Sequence, residues 1–155
     1  LLIEQYKLYV EMMDRTSARR IEANRFFVTL LTSLLALIVV AVEKNFFAFL
    51  QNGVLLVSGL LGFSLCLIWH LNVRSFKQLN QAKNQVIHQM EESLPFRCYQ
   101  VEWALLKEGK DPKSYQPITQ MEACVPLVLA VPYFFVVLYS LWPTLVRLFQ
   151  LIWRA

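Results

Sequence analysis

GVLLVSGLLGFSLCLIWHL, residues 53–71, runs without a break into NVRSFKQLNQAKNQVIHQMEESL, residues 72–94, and this stretch decides the fold. Its first half is apolar enough for lipid. Its second half is charged and amphipathic. Neither Gly nor Pro occurs between Gly62 and Pro95, so nothing there punctuates a helix. The stretch predicts one helix that crosses a membrane and continues into water. At about 1.5 Å per residue, about 40 residues make about 60 Å of helix, roughly twice the hydrocarbon thickness of a bilayer. Pro95 ends it, because the residue before a proline is pushed out of helical geometry.

Two further apolar runs flank this stretch. Residues 26–42, FFVTLLTSLLALIVVAV, form a first span at the short end of the spanning range, with Phe46, Phe47, Phe49 and Leu50 extending it or lying at the interface. Residues 120–143 form a third, begun by a capping box with Thr119 as N-cap and Glu122 three residues on. Pro132 is expected to kink it, and residues 144–155, beyond Pro143, to form a separate interfacial piece. The loop 43–52 is too short to hold a domain, so the first two spans make a tight hairpin. The fold class is an all-α integral membrane protein, three transmembrane helices with a helical cytoplasmic collar, in one membrane domain spanning 1–155. A mean hydropathy of +0.44 and 57% hydrophobic residues agree with it. The chain begins at Leu1 rather than Met, which points to a piece of a longer product.

The positive charges fix an orientation. Five Lys and Arg precede the first span, one lies between the first two, seven lie between the second and third, and two follow the third. Positive residues stay on the cytoplasmic side, so the N-terminus and residues 72–122 are expected to be cytoplasmic and the C-terminus outside. The net charge of +4 is then a topology signal rather than a sign of nucleic-acid binding. Arg15, Arg19, Arg20 and Arg25, just before the first span, are candidates for contact with anionic lipid headgroups.

Packing surfaces are legible as stripes. In the helix expected over 1–25, Ile3, Tyr6, Val10, Met13 and Ser17 recur at heptad spacing, with Glu11 and Arg15 paired on another face. In the first span, Thr29, Thr32, Ser33 and Ala36 put small or hydroxylated residues along one side. In the second, Ser58, Gly62 and Cys66 form a small-xxx-small stripe, widened by Gly59, that lets backbones approach. Beyond the membrane, Phe76, Leu79, Val86, Ile87, Met90 and Leu94 form a narrow apolar stripe that needs a partner, with Lys83 polar within it. Each stripe packs either within its own protomer or against a neighbour. Trp69 suits the aromatic belt and His70 a headgroup-facing position. A short helix is expected over 96–107, with Gly109 as its C′ residue.

No chemistry-bearing motif stands out. There is no Gly-rich phosphate loop, HExxH, GxSxG or CxxC, and no ionisable group lies mid-span. Cys66, Cys98 and Cys124 are an odd set, two of them expected on the reducing side, which argues against a disulfide or a zinc site. Glu91, Glu92, Glu102 and Glu122 read as solvated faces or caps. No enzyme, cofactor or metal is expected. The expected partners are lipids and other copies of the chain, because one three-span protomer cannot bury all these stripes.

The runs QYKLYVEMMDRTSARRIEANRFF, RSFKQLNQAKNQVIHQMEESLPFRCYQVEWALLKEG and SYQPITQMEACVP, in that order, resemble the RipA family of octameric bacterial membrane proteins over nearly all of residues 4–135. That resemblance implies a homo-octamer in a bacterial inner membrane, acting as a scaffold or assembly protein with no established biochemical activity. The layout is also similar to two-span SLATT effector domains, from which the third span departs. Those domains are associated with bacterial conflict systems, so the alternative expectation is a pore-forming or membrane-perturbing effector, with a role in phage defence.

Overall fold

The structure, a computed structural model, describes residues 1–44, 51–107 and 118–152. They form four α-helices: α1 Leu2–Glu43, α2 Gln51–Glu91, α3 Cys98–Leu105 and α4 Ile118–Ile152. The chain is all-α, and α1, α2 and α4 are each long and apolar enough to cross a membrane. It divides into two compact units. Unit 1 is Leu1–Asn24 with Leu71–Ala123, and unit 2 is Arg25–His70 with Cys124–Ala155.

Unit 2 holds the spans, and each contributes one heptad-spaced stripe to the interior. On α1 the stripe is Phe27, Leu31, Leu34, Ile38 and Ala41. On α2 it is Leu55, Gly59, Gly62, Cys66 and Trp69. On α4 it is Pro126, Ala130, Tyr133, Val137 and Ser140. Alternating steps of 4 and 3 keep one face of each helix on its neighbours, as in a left-handed coiled bundle. The side of α1 carrying Thr29, Thr32, Ser33 and Ala36 is exposed, and Thr32 bonds back to the Val28 and Thr29 carbonyls. Trp69 is buried rather than in an aromatic belt: its indole stacks on Phe27, centroids 5.7 Å apart.

The helix boundaries shift in informative ways. α4 continues as helix through Pro126, Pro132 and Pro143 to Ile152, so no separate piece begins after Pro143. Proline lacks an N–H, so the carbonyls of Glu122, Val128 and Tyr139 lose their usual helical donors. α4 is helical from Ile118, and the side chain of the expected cap Thr119 lies outside the described residues. α2 ends at Glu91, and the next turn tightens through Ser93 N–H to Met90 O and Leu94 N–H to Glu91 O. After α3, the left-handed position belongs to Lys107, with φ of 52°, and the expected C′ residue Gly109 lies outside the described residues. The expected interfacial residues 45–50 and the loop before α4 also lie outside them.

In unit 1 the first half of α1 runs antiparallel to the second half of α2. Tyr6 meets Glu91, and Thr16 meets Lys83. The inward stripe of α1 is Leu2, Tyr6, Tyr9, Val10, Met13, Thr16 and Ser17; that of α2 is Val73, Phe76, Asn80, Lys83, Ile87 and Met90. The stripe of α2 beyond the span therefore pairs with α1 of the same chain, and two of its seam residues, Asn80 and Lys83, are polar. Polar seam residues cost stability but fix register.

Candidate functional site

Two residues draw their units together. In unit 2 it is Tyr133, whose side chain is fully buried. Its ring lies over Gly62 of α2, so close that a Cβ on Gly62 would stand 2.1 Å from the ring carbons. Its hydroxyl donates a hydrogen bond to the Leu31 carbonyl of α1. One α4 side chain thus ties all three spans. A phenol suits this place: the ring fills the groove that glycine opens, and the hydroxyl needs an acceptor in a region without water. Gly59 provides a second close approach, where a Cβ would meet Val137 and Val136 at 2.8 and 3.2 Å. Ser140 donates to the Asn52 carbonyl. Ser58 bonds back to the Val54 carbonyl at 2.6 Å and lies beside the interior seam rather than on it.

In unit 1 the organising residue is Glu91, 0% exposed. Oε1 accepts from the Tyr6 hydroxyl at 3.0 Å and from the Tyr99 N–H at 2.8 Å, and Oε2 accepts from the Gln100 N–H at 3.1 Å. Tyr99 and Gln100 carry two of the unpaired N–H groups that open α3. The residue at the N-cap position, Arg97, offers them no side-chain bond. The last residue of α2 caps α3, with its negative charge at the positive end of the α3 dipole. The Tyr6 phenol is held above its ordinary range, first by burial and then by the Glu91 hydrogen bond. Burial also raises Tyr99, aided by the charges of Asp14, Glu102 and Glu91. Because the fold favours the protonated phenols, their contribution is fully present below the ordinary tyrosine value and is lost as pH rises beyond it. Thermal melts should therefore show a loss of stability above about pH 10. Tyr6→Phe should flatten that loss in part, leaving the share due to Tyr99.

Lys83 is the third fixture. Its ammonium donates to the Met12 carbonyl at 3.2 Å and to Thr16 Oγ1 at 2.9 Å, and stands 5.9 Å from the Tyr9 ring centroid. Thr16 in turn donates to the Met12 carbonyl. A cation on a largely apolar seam is thereby satisfied by α1.

The residues singled out in the sequence separate by environment. Gly62 and Cys66 lie inside unit 2. Tyr6, Val10, Met13, Phe76 and Met90 lie on the inward stripes of unit 1. Ile3 and Leu79 do not: they are 58% and 45% exposed. Among the cations proposed for headgroups, Arg20 turns inward to Glu122, Nη1 to Oε2 3.5 Å, with side chains 13% and 21% exposed. Glu122 is thus half-buried and paired with Arg20 rather than on a solvated face. Arg15 pairs with Glu11 at 2.7 Å at the surface, which contributes little. Arg19 and Arg25 are exposed. Nothing local in the apolar run marks Tyr133: Tyr139, six residues on, carries the same hydroxyl and is 71% exposed.

Chemically, these arrangements hold helices together. No group of three or more His, Cys, Asp or Glu that could bind a metal occurs among the described residues. The three cysteines are free thiols. Unit 2 also has an apolar groove of about 400 Å³ lined by Ile38, Val39, Val42, Leu55, Phe135 and Val136, with Glu43 and Tyr139 at its margin.

Three interlocked helices, each long and apolar enough to cross a membrane, define an all-α membrane protein. The sequence model of the octameric membrane protein family (8xMP) matches residues 3–142, and the chain belongs to that family. No curated protein and no solved structure matches it.

Proposed function

We propose that this protein is a homo-octameric scaffold of a bacterial inner membrane, with unit 1 on the cytoplasmic side. The observation that carries the reading is family membership over residues 3–142. The excess of Lys and Arg before the first span and between the second and third favours the orientation. The protomer's polar groups support a structural rather than enzymatic role, because Tyr133, Glu91, Lys83 and Arg20 are each engaged in joining helices. Membrane lipids and other copies of the chain are its partners. The likeness to RipA proteins supports this scaffold. The likeness to SLATT effectors supports the second reading, a pore, which the exposed Thr29, Thr32 and Ser33 side of α1 favours.

Planar-bilayer recording separates the two. Assembled protein of intact mass stays electrically silent if it is a scaffold. Reproducible conductance steps from the same particles would replace the scaffold with the pore.

A further inference from the structure

Unit 1 carries two exposed apolar faces on opposite sides. On α1, Leu8 and Met12 are 59% and 44% exposed and lie about 100° around the axis from the inward stripe. On α2, Leu79 and Val86 are 45% and 36% exposed and are offset by a similar angle in the same sense. Two antiparallel helices facing each other have local two-fold symmetry, so equal offsets fall on the same side of the pair. These four residues therefore share one face. On α2 the face continues as Ser75, Leu79, Ala82, Val86 and Gln89, a second heptad stripe without a charge. The other flank of that helix carries Arg74, Lys77 and His88.

α3 lies on the other side. Glu91, which accepts from the Tyr99 and Gln100 N–H groups that open α3, is offset from the inward stripe of α2 in the opposite sense to Leu79 and Val86. α3 turns Tyr99 and Leu106 inward and presents Val101 and Leu105, 43% and 78% exposed, away from its own protomer.

We propose that these faces are the two halves of one interface between copies: the Leu8, Met12, Leu79 and Val86 face of one protomer receives Val101 and Leu105 of the next. The occupant is a second copy because the chain belongs to an octameric family, and because different faces on opposite sides make a head-to-tail contact, which closes into a ring when the rotation allows. A self-complementary patch would stop at a dimer. The uncharged α2 stripe matches the charge-depleted centre of an interface, while on α1 the same face also carries Arg15 and Arg19, at heptad spacing after Leu8 and Met12. The inference rests on self-assembly as proposed above and assigns its surface.

The test uses the full chain in detergent or nanodiscs. Val86→Glu and Leu105→Glu change side chains already in contact with solvent in the protomer, so the protomer still folds. Each should reduce the octameric fraction at least about tenfold, the effect of about 1.4 kcal/mol. In a chain with Cys98→Ser and Cys124→Ser, the pair Val86→Cys and Leu105→Cys should give, on oxidation, a reducible ladder of covalent oligomers. The single cysteines should give none beyond a dimer. If wild type is octameric but both charge variants keep their mass and no ladder forms, this surface is wrong while the assembly stands. If wild type is not octameric, the scaffold reading fails first.

Discussion

Gly62→Ala lowers the thermal stability of the solubilised protein by an amount normally reserved for a large core change. A single methyl would stand 2.1 Å from the Tyr133 ring and 2.7 Å from its Cγ. The clash is with the body of a buried ring whose far end is hydrogen-bonded to the Leu31 carbonyl, so the ring cannot swing aside without breaking that bond in a region without water. Overpacking of this kind costs about 1–3 kcal/mol. An interhelical hydrogen bond in a membrane adds about 0.6 kcal/mol, and up to about 1.7. Tyr133→Phe keeps the ring and loses only the second contribution. Tyr133→Ala opens a cavity but makes room for the methyl. The double variant Gly62→Ala/Tyr133→Ala should therefore lose less stability than the sum of its singles. A thermal-stability series in one detergent measures this coupling. Simple additivity would show that the two residues are not in contact.

Glu91→Ala has the second large effect, and it falls on unit 1. Removing the carboxylate strands the Tyr6 hydroxyl and two N–H groups of α3 at once. Loss of a helix cap costs about 0.5–2 kcal/mol, and a buried donor left without an acceptor about 1–3. A combined loss of about 2–4 kcal/mol follows, since these contributions overlap. α3 should detach, exposing residues 92–107 to protease. Glu91→Gln retains one oxygen acceptor and should lose less. Limited proteolysis with melting of the two variants checks the order; equal resistance of Glu91→Ala and wild type would contradict the cap.

Much of the fold is written plainly in the chain. Three apolar runs, an uninterrupted Gly62–Pro95 stretch and the halt at Pro95 lead to the helices that form. The facing of those helices is harder to read. In lipid, a span is apolar on all sides, so hydrophobicity does not distinguish interior from surface. Thr29, Thr32 and Ser33 look suited to close packing yet face outward, while Leu31 and Ile38 face in. The small-residue stripe of α2 was partly legible because glycine signals backbone approach, and Gly62 fulfils it. Its partner was not, because a tyrosine among phenylalanines and valines gives no local sign that it will cross to another span's carbonyl. In the sequence alone Glu91 reads as a solvated face or a cap. Its burial arises from Pro95, which turns the chain so that the next helix begins against the carboxylate, a contact set by geometry between elements. Lys83 is the opposite case: its polar interruption of an apolar seam was visible, and α1 supplies its acceptors.

Membership of an octameric family makes self-assembly the first property to measure. Native mass spectrometry of the full chain released from nanodiscs tests it most directly. The expected result is one dominant species of eight copies, about eight times the 18.1 kDa chain. A particle that remains monomeric at micromolar concentration, with its helices intact, would contradict it.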